Sequence, residues 1–220
     1  MRFWSVLVVA LVVLVTGCSR EITGVAQVDP HGPGTALSKD GFGIVAGDPS
    51  ARVHIELYTE PQCNHCADLQ KDFGDQMARY MNLGQLVVTY RPLTFLDDQP
   101  GGYSDRVSNA LFLAVGPNTS AKTFQAFVED LWGHQDSHGK GPSDAQIADM
   151  ARESGIPASA VDAMRAAKPA LDVQQMADTN FEYLYEIDPV NSGTPTVFDL
   201  NTNEKIDIYD NNWLSKLMST

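Results

Sequence analysis

Cysteine is scarce in this 220-residue chain, which has only Cys18, Cys63 and Cys66. No second cysteine pair stands beside Cys63 and Cys66, and that excludes a zinc site built from two such pairs. Basic residues are also few. Fifteen Lys and Arg against 28 Asp and Glu give a formal net charge of −13. That balance argues against nucleic acid and anionic lipid as partners, and an acidic surface keeps an exported protein soluble. Long apolar runs are missing as well. The run from Phe3 to Val15 is interrupted by Ser5 and falls short of the roughly 20 residues that span a bilayer. No internal repeat is visible. A hydrophobic content of 43% is ample for a buried core, so the chain reads as one domain with some elaboration.

The N-terminal run has the length of a signal-peptide core, and Arg2 precedes it. It ends in Leu14-Val15-Thr16-Gly17-Cys18, which resembles the lipobox of bacterial lipoproteins. That resemblance implies removal of residues 1–17, lipidation of Cys18 and attachment to the extracytoplasmic face of a membrane. Lipidation would also remove an odd thiol from an oxidising compartment. Residues 18–40 are polar, with Pro30, Gly32, Pro33 and Gly34 close together, and read as a flexible tether of roughly 25 Å reach. His31 reads as a linker residue. Residues 41–220 then form the folded domain.

The chain is organised around Glu60-Pro61-Gln62-Cys63-Asn64-His65-Cys66. Val53, Ile55 and Leu57 alternate with His54, Glu56 and Tyr58 before it, as a strand does. A helical pattern follows, with Cys66, Leu69, Phe73, Met77 and Tyr80 on one face. On a first helical turn, two Cα atoms at this spacing lie roughly 5–6 Å apart, within disulfide range. The first cysteine falls where a helix leaves N–H groups unpaired, which favours a thiolate. Redox chemistry is the reading of this pair.

The remaining elements follow from period and punctuation. Gly43 to Ala46 reads as a first short strand and Leu86 to Tyr90 as a core strand. Gly74 is expected to weaken the redox helix and mark a kink. Apolar faces at Val107–Ala114, Phe124–Leu131 and Ile147–Ala151 predict three helices, the last capped by Ser143. Two more are expected over about 158–167 and from Val173 to about Ile187. His134 and His138 are four apart, but without acidic or cysteine partners at ligand spacing they read as solvated loop residues. Beyond Pro189, Val197, Phe198 and Leu200 predict a strand, Asn201 to Lys205 a turn, and Ile206, Ile208 and Tyr209 a returning strand. Asp210 is placed to cap a final helix with Trp213, Leu214 and Leu217.

This order of elements resembles the thioredoxin superfamily, and within it the DsbA-like branch. Cys63-Asn64-His65-Cys66 is similar to the family's C-x-x-C, and Gly193-Thr194-Pro195-Thr196 to its cis-proline loop. The resemblance covers roughly residues 43–220. It implies an α/β thioredoxin-like fold with a helical insertion, about 104–187, between the central strands. It also implies that Cys63 attacks the client, that Cys66 resolves the mixed disulfide, and that His65 stabilises the Cys63 thiolate. Thr194 and Pro195 would present backbone groups to the client strand. No cofactor beyond the Cys63–Cys66 disulfide is implied. Exported proteins with cysteines are the expected clients, a membrane redox partner resets the pair, and the protein is expected to be a monomer.

One position departs from the family pattern. Thioredoxins place a buried acid six residues before the first cysteine, and here that residue is Leu57. Glu56 points to the other face of the strand. Glu60, three before Cys63, is then the nearest acid to handle the proton of Cys66, and a solvated loop carboxylate is the alternative reading of it. The expected function is dithiol oxidation in exported proteins. Isomerase or reductase activity on the same fold, and a lipid-anchored metal-binding module, are the alternatives.

Overall fold

A computed structural model describes residues 33–136 and 139–219. Cys18, His31, His138 and most of the expected tether lie outside these residues. Six strands form one sheet in the order β1-β2-β4-β3-β5-β6. They are β1 (Gly34–Leu37), β2 (Ile44–Gly47), β3 (Val53–Thr59), β4 (Leu86–Pro92), β5 (Thr196–Asp199) and β6 (Glu204–Lys205). Strands β3 and β4 pair in parallel, with Val53 opposite Leu86 and Thr59 opposite Pro92. The crossover between them is helix α1 (Asn64–Asn82), as a parallel pair requires. The other strand pairs are antiparallel.

Between β4 and β5 the chain makes α2 (Tyr103–Leu113), α3 (Ala121–Gly133), α4 (Asp144–Glu153), α5 (Ala158–Arg165) and α6 (Val173–Ile187). A last helix, α7 (Trp213–Ser219), closes the described chain. This is the thioredoxin-like α/β fold with its helical insertion. Side chains begin these helices where the sequence offers them. Ser120 accepts from the Thr123 N–H, Asp172 from the Gln175 N–H, and Ser143 forms a capping box with Gln146. Gly84, at φ +65°, ends α1 by turning the chain so that the Gln85 N–H reaches the Tyr80 carbonyl. Every residue of β4 is buried, the polar Thr89 and Arg91 included. No helix among the described residues is long and apolar enough to cross a membrane.

Three expectations need correction. Residues 34–37 are a strand, not tether, and the segment at 44–47 is therefore the second strand rather than the first. Leu37 pairs with Ile44 and Thr35 with Ala46, while the Thr35 hydroxyl donates to the Gly116 and Thr119 carbonyls. At the other end, Ile206 to Tyr209 do not continue β6. The Ile206 N–H still reaches the Val197 carbonyl, but Asp207 then accepts from the Tyr209 N–H and folds the chain into a turn. Lastly, α1 is unbroken at Gly74. A Cβ there would stand 2.6 Å from Glu129 Cδ, so the glycine makes room for the Glu129 side chain of α3 against α1.

Candidate active site

The end of β3 delivers Thr59 and Glu60 into the interior, and Pro61-Gln62 turns the chain into Cys63, the N-cap of α1. The Cys63 carbonyl accepts from the N–H groups of Cys66 (3.0 Å) and Ala67 (3.2 Å). Both cysteines are free thiols in this structure. Cys63 is half-buried, whereas Cys66, one turn further, is 1% exposed.

Their environments drive the two sulfurs apart. The Cys66 thiol beside it is the main influence holding Cys63 down, to about 6 from 9.0. The Thr194 side chain and the N–H groups of Cys66 and His65 add to this, against the opposing effect of burial. The Thr194 carbonyl plays a different part, accepting from the neutral Cys63 thiol at 3.2 Å. Burial pushes the Cys66 thiol well above its ordinary value, and the neighbouring Cys63 pushes it further. The Glu60 N–H and the Thr59 hydroxyl oppose that shift.

Glu60 is fully buried. Burial raises its carboxyl to about 7 from 4.5, and the charges of Asp97 and Cys63 act the same way. The Ser104 hydroxyl and the Gln62 N–H (2.6 Å) donate to it and oppose the rise. Glu56 is committed elsewhere, accepting from Arg91 at 2.9 Å and from the Tyr58 hydroxyl at 2.7 Å. Leu57 is completely buried.

The helical insertion grips this loop from two sides. The Gln62 side-chain amide donates to Asp97 (2.8 Å) and to Ser104 (3.0 Å), and Asp97 accepts from the N–H groups of Ser104 and Asp105 at the start of α2. The amide of Gln135, just beyond α3, donates to the carbonyls of Pro61 (2.7 Å) and Cys63 (3.0 Å). Opposite the cysteines, the Thr194–Pro195 bond is cis. A cleft of about 740 Å³ runs past Thr194, Pro195, Ile206 and Ile208 to the exposed Tyr209. A smaller one, about 190 Å³, joins Pro195 and Tyr209 to His65, Asp68 and Phe73 on α1.

The structure thus brings Cys63, Cys66, Thr194 and Pro195 together. It places the His65 imidazole outward, 70% exposed and 3.7 Å from Asp68. The group of residue 65 that favours the thiolate is its backbone N–H. His134 is exposed and bonded to Asp130 of its own helix. Sequence reasoning missed Thr59, Gln62, Asp97, Ser104 and Gln135. Only Gln62, beside Cys63, carried a local signal; Ser104 lies 44 residues from its partner Glu60.

A family model described as Thioredoxin matches residues 39–207. No curated protein matches the chain. Among solved structures, the thiol-disulfide oxidoreductase MdbA of Corynebacterium matruchotii is similar with a TM-score of 0.71 at 21% identity, over 84% of this chain and 92% of that one. MdbA of Corynebacterium diphtheriae gives 0.70 at 24% identity, over 83% and 92%. DsbA of Mycobacterium tuberculosis gives 0.59 at 18% identity, over 85% and 91%. At these identities the likeness is one of fold.

Proposed function

The chain belongs to the thioredoxin family, and from that premise we propose that it is an extracytoplasmic protein thiol-disulfide oxidoreductase, working as a dithiol oxidase on exported proteins. The observation that carries this reading is the split between two sulfurs one helical turn apart. Cys63 is reachable and favoured as a thiolate, while Cys66 is buried and disfavoured as one. An oxidase needs an exposed sulfur that accepts attack and leaves readily.

In the oxidising direction a client thiolate attacks Cys63 Sγ, the Cys63–Cys66 bond breaks, and Cys66 departs as a thiolate that must be protonated. The client's second thiolate then attacks its own sulfur in the mixed disulfide and expels Cys63, whose low pKa makes it a good leaving group. The client loses two electrons and the pair gains them. Glu60, poised near neutrality and buried beside the pair, is the acid that supplies the Cys66 proton. The cis-Pro195 loop and its cleft receive the client backbone. A membrane redox partner then takes the two electrons. Lipidation at Cys18 would hold the domain at the membrane surface, and the protein would act as a monomer.

The same geometry serves a reductase or isomerase if the pair is poised low, so the reduction potential is the test. An oxidised sample should introduce disulfides into a reduced, unfolded model protein, with a potential above about −200 mV. A potential below about −250 mV would reassign the protein as a reductase.

A further inference from the structure

Strand β3 runs between β4 and β5, parallel to the first and antiparallel to the second. The segment that follows β4 and the cis-Pro195 loop that precedes β5 therefore flank the redox loop on opposite sides. Residues 93–102, on the β4 side, are tied to that loop. The Leu93 N–H donates to the Thr59 carbonyl at 2.9 Å, and Asp97 accepts from the amide of Gln62, the residue before Cys63. Between this segment and α6 lies a cleft of about 600 Å³. Phe95 and Phe181 line it, 46% and 41% exposed, with their rings edge to face at 6.4 Å between centroids. Leu96, beside Phe95, and Tyr185, one turn along α6 from Phe181, are exposed as well. Single apolar residues on a surface are ordinary, whereas a group of them around a cleft marks a docking place. Asp97, Asp98, Asp105, Asp178 and Glu182 line the same cleft, with no Lys, Arg or His among its lining residues. None of the five carboxylates is in an ion pair among the described residues. Solubility is served by charge anywhere on the surface and gives no reason for exposed rings inside an acidic rim.

We infer that this cleft docks an extended segment of the client, with a large apolar side chain against Phe95 and Phe181 and a neighbouring Lys or Arg against the carboxylates, while the client cysteine meets Cys63. This rests on the thiol-disulfide exchange proposed above. Charge complementarity selects the occupant. A second copy of this chain, at a net charge of −13, brings mostly the same sign to an acidic cleft, and an anionic membrane surface is repelled from it. An unfolded client arrives with apolar side chains exposed, and Lys or Arg beside them meets carboxylates that have no cation of their own. The two flanks of the redox loop then have different tasks. The cis-Pro195 side holds backbone, which is alike in every client, and the cleft on the β4 side reads side chains. Cysteines are thereby chosen by what stands near them in the client sequence.

The test uses the oxidised protein and synthetic peptides with a single cysteine, flanked on both sides a few residues away by Phe-Arg, Phe-Glu or Ser-Arg in a Gly-Ser background. The second-order rate at which each peptide reduces the Cys63–Cys66 disulfide is divided by its rate with a small-molecule disulfide, which removes differences in thiol reactivity. Ratios between peptides within one protein then cancel any effect of a substitution on the chemistry at Cys63. Wild type should react with the Phe-Arg peptide about tenfold faster than with either of the others. Asp98→Lys with Glu182→Lys should bring the Phe-Arg to Phe-Glu ratio down to about one. Phe95→Ser with Phe181→Ser should do the same to the Phe-Arg to Ser-Arg ratio. Glu153→Lys with Asp162→Lys changes the net charge equally at residues that do not line the cleft, and should keep the wild-type ratios. Equal rates for all three peptides in wild type, or an equal loss of preference in that control, would overturn the proposal. So would wild type that dimerises, or pellets with phosphatidylcholine vesicles, through Phe95 and Phe181, since the cleft would then have another occupant. A wild-type disulfide that exchanges with neither the peptides nor glutathione would instead remove the function on which the proposal rests.

Discussion

The depressed Cys63 thiol makes a quantitative statement about how the redox pair responds to pH. Reduction of a disulfide takes up two electrons, and two protons when both thiols form. Below the Cys63 pKa of about 6 the potential should therefore fall by about 59 mV per pH unit. Above it Cys63 remains a thiolate while burial keeps Cys66 protonated, so the slope should halve to about 30 mV. Compared with an ordinary thiol at 9.0, the gain at pH 7 is about one decade, or about 1.4 kcal/mol and 30 mV. By pH 9 it approaches about 80 mV. Equilibration against thiol-disulfide buffers from about pH 5 to about pH 9 would record this as a bend close to pH 6. A single slope of about 59 mV up to about pH 8 would show that Cys63 titrates as an ordinary thiol and would refute the reading of its environment.

Glu60→Gln should change how stability depends on pH. The carboxyl is raised to about 7 when folded, so its contribution is fully present below 4.5 and is lost as pH rises through about 7, by at most about 3 kcal/mol. Urea unfolding of the oxidised protein, in which Cys63 does not titrate, should show wild type losing stability relative to the variant across that window; parallel curves would mean the carboxyl is not held in a buried site. His65→Ala should leave the alkylation midpoint of Cys63 near 6, because the contribution of residue 65 comes from its N–H. A clear rise would give the imidazole the role that the sequence assigned to it. Cys18→Ser should abolish acylation and the associated cleavage in cells, as mass spectrometry of the membrane fraction can show, and a variant still acylated at that site would rule out the lipobox.

The parts of the fold set by local chemistry were legible. The alternation in β3, the apolar stripe of α1 and the Ser143 cap can each be read within a few residues, and Cys63, Cys66 and Pro195 belong to short motifs. What escaped depends on distant partners. Residues 34–37 become a strand only because β2 offers an open edge. Ile206 to Tyr209 alternate like a strand, yet Asp207 turns the chain away. Glu60 follows a strand and precedes a proline, as an exposed loop acid would. Its partners are Ser104, which the start of α2 brings over it, and the neighbouring Gln62, whose side chain Asp97 and Ser104 hold in place. The direction of the His65 imidazole was likewise not in the spacing; it lies outward, 3.7 Å from Asp68 on the same helix.

Division of labour between the two cysteines is the central claim, and trapping of intermediates tests it most directly. With Cys66→Ala the sulfur that releases the client is gone, so Cys63 should accumulate mixed disulfides with cysteine-containing proteins, visible on non-reducing gels and abolished by reductant. Cys63→Ala should accumulate few, because the remaining Cys66 is buried and disfavoured as a thiolate. Equal trapping by both variants, or more by Cys63→Ala, would contradict the account.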